Sequence, residues 1–508
     1  MYKNFTGFHL VEAIHKLGLE KKLAFSSKVK KIIYSIIVIA VTLWLWNAPS
    51  TMYGIVGLTV IQQRVIAIFA FATLMWIFEI VPAWATSVGI IGLMLIFTSD
   101  SGISSMVADG MVDGKPNFIP NILSYKAIMA TFADPVIMLF IGGFVLAIAA
   151  TKTGLDSQMA KVLLKPFGTK PSMVLLGFIL ITGIFSMFVS NTATAAMMLT
   201  FLTPVFKQMD GNGKGRIALA LSIPIAANIG GMATPIGTPP NAIAMKYLND
   251  PDGLNMNMGF GQWVSFMLPL TLILLFLGWI ILLKIYPFTQ KTLKLEIEGK
   301  MKKDRKTYIV IVTFFVTVLL WMFDKFTGIN SYTVAMIPLI VFALTGVIDR
   351  RDLEEINWSV IWMVAGGFAL GYGLNASGLA ENAVNSIPFG SWSPIVIMLI
   401  SGLVCYLLSN FISNSATAAL LMPILAVVCG AMGDKLGAIG GTPSILIGVA
   451  IAASGAMILP ISTPPNALAF STDLVKQKDM AKMGIIMGIL TMVIGYTVLY
   501  FIGKAGII

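Results

Sequence analysis

Long apolar stretches without a charged residue recur from about Ile32 to the end of this chain, and they leave few folds open to it. Each is long enough to cross a hydrocarbon core of about 30 Å. Inside lipid every backbone amide and carbonyl must find a partner within the protein, so these runs predict helices. Composition agrees: 57% of residues are hydrophobic and 11% charged, against about 25% charged in a soluble domain. The expected fold is an all-α polytopic membrane protein. The stretch to Lys31 is polar and basic, without an apolar core and small-residue cleavage site, so no cleavable signal peptide is expected.

Single crossings are expected at 32–46, 65–81, 84–98, 136–151, 217–247, 262–283, 307–323, 331–348, 359–376, 443–470 and 483–503. Two further runs, 172–206 and 394–432, are too long for one span and have polar centres. Basic residues flank the first of these on both sides: Lys161, Lys165 and Lys170 before it, Lys207, Lys214 and Arg216 after it. Both ends therefore belong on the cytoplasmic face, and the run reads as a re-entrant helical hairpin. The same rule puts the N-terminus inside, with Lys16, Lys21, Lys22, Lys28, Lys30 and Lys31, and the basic 284–306 segment with it. Asp109, Asp113, Asp250 and Asp252 fall outside, as does the C-terminus, giving about eleven crossings and two hairpins. The formal net charge of +11 is explained by this loop bias, and no nucleic-acid partner is implied. Cys405 and Cys429 lie in apolar runs and form no disulfide framework; His9 and His15 sit in the cytoplasmic tail.

The two halves of the chain echo each other. Gly142-Gly143-Phe144 recurs as Gly366-Gly367-Phe368, and Thr153-Gly154-Leu155 as Ser377-Gly378-Leu379, both 224 positions later. Ser190-Asn191-Thr192-Ala193-Thr194 recurs as Ser413-Asn414-Ser415-Ala416-Thr417 after 223, and Thr238-Pro239-Pro240-Asn241-Ala242 as Thr463-Pro464-Pro465-Asn466-Ala467 after 225. An odd number of crossings separates the copies, so they are expected to be inverted, each with five crossings and a hairpin. Inverted repeats with interrupted helices mark secondary transporters, whose site lies at the repeat interface. The expected organisation is 1–52, N-terminus and first helix; 53–286, first repeat with hairpin 172–206 and broken helix 217–247; 287–306, basic linker; and 307–508, second repeat with hairpin 394–432 and broken helix 443–470.

Each copy contributes two breaks. One is the hairpin tip, Ser190-Asn191-Thr192 or Ser413-Asn414-Ser415. The other is a helix interrupted near Gly230, Gly231, Pro235, Gly237, Pro239 and Pro240, or near Gly455, Pro460, Pro464 and Pro465. Proline removes an amide donor and clashes with the preceding turn, so the helix stops. The stop frees carbonyls that suit a small hard cation, and amides at a helix N-terminus that suit a carboxylate. Ser186 and Ser190 are spaced i, i+4, as are Ser409 and Ser413, which predicts that each pair shares a helical face. Two equivalent tips match a ligand with two equivalent ends, the shape of a dicarboxylate. The glycine pairs are expected to permit close helix packing.

No central Asp, Glu, His, Lys or Arg stands in the core segments from 136 onward. Proton coupling would call for an intramembrane acid or histidine, and catalysis would call for paired ionisable groups or metal ligands. The chain therefore reads as no enzyme, and a bound dianion must be neutralised by cations and helix dipoles. That points to sodium.

Taken together, both Ser-Asn-Thr-type tips, both Thr-Pro-Pro-Asn breaks, the Gly-Gly-Phe pair and Glu79-Ile80-Val81-Pro82 resemble the divalent anion/sodium symporters over about 32–505. The resemblance implies a homodimer with an elevator motion of a transport domain against a scaffold. It implies a first sodium at Ser186, Ser190, Asn191 and Gly237, and a second at Ser409, Ser413, Asn414, Ser462 and Thr463. Substrate would meet Ser190, Asn191, Thr192, Ser413, Asn414, Ser415, Thr463 and Pro464. Ser415 departs from the family's Thr; the hydroxyl is kept but the pocket is larger by a methyl group. The expected activity is sodium-coupled import of a C4 dicarboxylate across the cell membrane. A sodium-independent exchanger, a citrate or sulfate carrier, and an ion channel stay open as alternatives.

Overall fold

The computed structural model describes residues 19–209, 213–251, 253–293, 303–379, 381–382, 393–506 and 508. Lys16, both histidines, Asp252, and Lys294, Lys300 and Lys302 of the basic linker lie outside the described residues. The main helices are α1 (Leu19–Asn47), α2 (Val60–Phe78), α3 (Ala83–Thr98), α4 (Pro135–Thr153), α5 (Pro171–Ser186) and α6 (Asn191–Lys207). They continue with α7 (Lys214–Gly230), α8 (Pro239–Leu248), α9 (Phe260–Ile285), α10 (Arg305–Met322), α11 (Ser331–Leu344) and α12 (Trp358–Ala376). The last are α13 (Pro394–Ser409), α14 (Asn414–Met432), α15 (Gly441–Gly455), α16 (Pro464–Phe470) and α17 (Gln477–Lys504). Among the described residues, eight helical segments are long and apolar enough to cross a membrane.

The helix ends follow the sequence closely. Both long runs divide at their polar centres, α5 from α6 and α13 from α14, and both broken helices divide at the paired prolines, α7 from α8 and α15 from α16. Arms of 16 and 17 residues in the first hairpin span about 24–26 Å at 1.5 Å per residue. That is short of a hydrocarbon core of about 30 Å. Two features go beyond the apolar pattern. Helix α1 starts at Leu19, well before the first apolar residue expected to span. The loop after α3 carries an antiparallel hairpin, β1 (Ala108–Val112) and β2 (Lys115–Phe118). Its turn is Asp113-Gly114, both with positive φ, the two-residue chemistry that matches strand twist.

The chain forms two compact units. The first holds residues to Asp134, Trp358–Ile397 and Ser415–Thr442. Here Gly366 of α12 lies against Ser87 of α3, and Gly367 lies against Ala419 of α14, so that a Cβ at either position would collide with its neighbour. Gln62, which also closes a capping box on α2, donates to the Ser377 carbonyl at 2.8 Å. The second unit holds Pro135–Asn357, Met398–Asn414 and Pro443–Ile508. In it Gly142 of α4 meets the Ala335 backbone of α11, and Gly230 of α7 meets the Gly183 backbone of α5. The repeated Gly-Gly pairs are thus packing positions, as the sequence predicts. Gly142→Ala is expected to cost about 1–3 kcal/mol, the usual penalty for overpacking. It should appear as a lower Tm of the detergent-solubilised protein; an unchanged Tm would show that α4 and α11 part freely.

Candidate functional site

The first tip and first break come together inside the second unit. Helix α5 ends at Ser186, and Ser190 has φ −49° and ψ 130° as it caps α6. The two serines therefore do not share one helical face, contrary to their i, i+4 spacing, because the helix stops between them. Ser186 turns instead to Asn191. Its hydroxyl lies 2.6 Å from Asn191 Oδ1 and 2.7 Å from the Ala227 carbonyl oxygen and can donate to either. One hydroxyl carries one hydrogen, so one of those two oxygens always faces Ser186 Oγ without a proton between them. Gly231 adds to the cluster. A Cβ built there would stand 2.9 Å from Asn191 Oδ1 and 3.1 Å from the Gly237 carbonyl oxygen, so only glycine leaves the cradle open. Hydroxyl, amide and carbonyl oxygens converging without an ionised group are the donor set of a small hard cation.

Around this cradle the break is stitched by Asn241. Its amide donates to the carbonyls of Gly231 at 3.0 Å, Met232 at 3.2 Å and Thr234 at 2.8 Å. In the second break Asn466 does the same to Met457 at 2.8 Å and Leu459 at 3.0 Å, the positions 225 beyond Met232 and Thr234. The repeated Asn of Thr-Pro-Pro-Asn is therefore the residue that satisfies carbonyls freed by the prolines. A second device is exchanged between the copies. Thr234 Oγ1 donates to the Met187 carbonyl and accepts from Gly237 N at 3.1 Å. In the other break Ser462 Oγ donates to the Asn410 carbonyl at 2.9 Å and accepts from Leu459 N at 3.0 Å. Met187 and Asn410 are equivalent by the 223 offset, yet the hydroxyl comes from opposite ends of the turn.

The second tip differs in detail. Ser409, the last residue of α13, is buried beside Cys405, whose sulfur lies 3.8 Å from its hydroxyl. Asn410, which sequence reasoning passed over, accepts from Ile458 N at 2.8 Å and so joins the tip to the break. Asn414 Oδ1 is buried and has no hydrogen-bond partner among the described residues. An orphan amide oxygen at this position fits a ligand that brings positive charge. Thr463 Oγ1 accepts from Asn466 N at 3.3 Å and from Asn228 Nδ2 at 3.1 Å. With both lone pairs taken, its side chain has a hydroxyl proton to offer, which suits an anion better than a cation.

The remaining residues predicted for substrate lie nearer the surface. Thr192 and Pro464 are exposed, and Ser190, Asn191, Ser413, Asn414 and Ser415 are half-buried. Thr192 stands in the first turn of α6, at the end where uncapped amides favour an anion. None of the tip and break residues is ionisable, and no cluster of His, Cys, Asp and Glu able to hold a metal occurs among the described residues.

Apolar helices interrupted to expose hydroxyl, amide and carbonyl oxygens define the class: a multi-pass membrane transporter. The comparisons agree and go further. The profile of the citrate transporter (CitMHS) family matches residues 73–440, and the chain belongs to that family. It is 31% identical over 423 residues to the sodium-dependent dicarboxylate transporter SdcS of Staphylococcus saprophyticus, covering 76% of this chain and 79% of that one. The protein of the same name from Staphylococcus aureus strain USA300 is 30% identical over 426 residues, covering 75% and 79%. Two solved structures share the fold at 13% identity. The YdaH transporter of Alcanivorax borkumensis has a TM-score of 0.56 over 84% of this chain and 99% of its own. MtrF of Neisseria gonorrhoeae has a TM-score of 0.50 over 82% and 94%. The protein is a transporter and not an enzyme.

Proposed function

We propose that this chain imports C4 dicarboxylates such as succinate, fumarate and malate by sodium symport. The observation that carries the reading is the pair of tips and breaks built from uncharged oxygen donors. At one tip an open glycine cradle stands beside Asn191, and at the other Asn414 Oδ1 is a buried acceptor without a donor among the described residues. In this reading the first sodium lies among Ser186, Ser190, Asn191 and Gly237. The second lies at Ser409, Ser413, Asn414 and the Ser462-Thr463 backbone. The dianion spans Ser190-Asn191-Thr192 and Ser413-Asn414-Ser415, with Thr463 and Pro464 beside it. The names of the two staphylococcal relatives support both substrate class and coupling ion. In this reading the N-terminus lies in the cytoplasm and the C-terminus outside, and the protein works as a homodimer whose transport domain moves elevator-fashion.

The chain belongs to the citrate transporter family, which makes citrate the second reading. Competition in proteoliposomes separates the two. Unlabelled fumarate and malate should block labelled succinate uptake, and citrate and sulfate should not. Uptake of citrate in preference to succinate would replace the first reading with the second.

The site also fixes a pH response. With no ionisable residue at the tips and breaks, only the substrate's own carboxyl groups titrate between about pH 5 and 8. Uptake should rise with pH as the dianion fraction rises, and should become flat when plotted against dianion concentration. A protein pKa surviving that correction would reveal a proton site elsewhere.

A further inference from the structure

Asn228 lies in α7, two residues before the Gly230-Gly231 pair, and is 3% exposed. Its side chain points out of the first copy's helix and into the second copy's break. Nδ2 donates to Thr463 Oγ1 at 3.1 Å and to Asn466 Oδ1 at 3.2 Å. Asn466 in turn holds the Met457 and Leu459 carbonyls, and its backbone amide donates to Thr463 Oγ1. One amide thus grips both polar side chains that shape the second break. The link is made in one direction only. The position 225 beyond Asn228 is Ala453, which offers no side-chain donor, and Asn241 Oδ1, the counterpart of Asn466 Oδ1, is buried with no partner among the described residues.

We infer that Asn228 is a positioning residue that couples the two breaks, so that filling the first cation cradle shapes the second. The inference rests on the sodium reading of the tips given above. Ala227, the neighbour of Asn228, receives the Ser186 hydroxyl, and Gly231 forms the cradle wall. A cation held there orders the last turn of α7, and Asn228 transmits that order to Thr463 and Asn466. Coupling of this kind is reciprocal, and it is read as cooperativity in sodium.

The test is the sodium dependence of succinate uptake by the full chain in proteoliposomes, at saturating succinate. Asn228→Ala should raise half-saturating sodium about tenfold, in line with the loss of buried amide hydrogen bonds, and should bring the Hill coefficient towards one. Thr463→Val should do the same, and the double variant should fall short of the product of the two single effects, because both single variants break one shared hydrogen bond. A wild-type sodium curve in Asn228→Ala, or additive effects in the double variant, would overturn the inference. A fall in maximal rate with unchanged sodium half-saturation and cooperativity would also overturn it, since that is a merely structural defect. If Asn228→Ala yields no folded protein, Asn228→Ser, which keeps one donor in a smaller side chain, carries the same test. The underlying sodium reading fails separately, if Thr463→Val and Asn414→Ala both leave sodium-driven uptake intact.

Discussion

Asn191→Ala and Asn414→Ala are each expected to abolish dicarboxylate uptake and to leave the protein folded. The folded state should survive because neither amide holds the break together: that is done by Asn241 and Asn466. Ser186 keeps a partner in the Ala227 carbonyl when Asn191 is cut back. On the proposed reading, what is lost is the oxygen that would face a cation and the amide hydrogens that would face a carboxylate. A hydrogen bond to a charged group is worth about 3 kcal/mol at the upper end, a loss of about a hundredfold for each charged partner. On that reading each asparagine serves two such partners. Initial uptake rates in proteoliposomes, with size-exclusion profiles as the check on folding, decide the matter. Normal uptake by both variants would remove the tips from the site.

An inside-negative potential should speed uptake or leave it unchanged, and should never oppose it. Bringing a dianion into a compartment held at about −100 mV costs about 4.6 kcal/mol, at about 2.3 kcal/mol per charge. Two sodium ions, one for each tip-and-break pair as proposed, would cancel that charge. A third would let the potential drive accumulation. None of the tip and break residues is cationic, so the proposed reading takes two sodium ions per dianion as its minimum. Initial succinate uptake under a potassium–valinomycin potential at fixed sodium gradient measures the sign. Slower uptake with the interior negative would mean that fewer than two cations accompany each dianion.

Much of this architecture was legible in the sequence because prolines and glycines act locally. Paired prolines stop a helix wherever they occur, so Pro239-Pro240 and Pro464-Pro465 mark helix starts in both readings. The tips were legible for the same reason: Ser-Asn-Thr interrupts an otherwise apolar run, and both runs divide there. The side-chain partners were not legible. Periodicity put Ser186 and Ser190 on one face, but the helix ends at Ser186 and its hydroxyl finds Asn191 and Ala227 instead. Asn410 and Asn228 were missed because their partners lie 48 and 235 positions away, and no local pattern records such pairings. A signal was present all the same. An asparagine in an apolar run must find partners for its amide, and Asn228 stands two positions before Gly230 and Asn410 three before Ser413. The exchange of hydroxyl between Thr234 and Ser462 also escapes an offset search, since Leu459 and Gly237 at the matching places carry none.

Sodium removal tests the central claim most directly. Purified protein in liposomes is loaded with succinate and assayed for uptake of labelled succinate, with sodium on both sides, on the outside only, or on neither. Symport predicts accumulation when sodium is outside only, equilibration when it is on both sides, and neither net uptake nor homoexchange when it is absent. Homoexchange that persists without sodium would contradict the account and make the protein a sodium-independent exchanger.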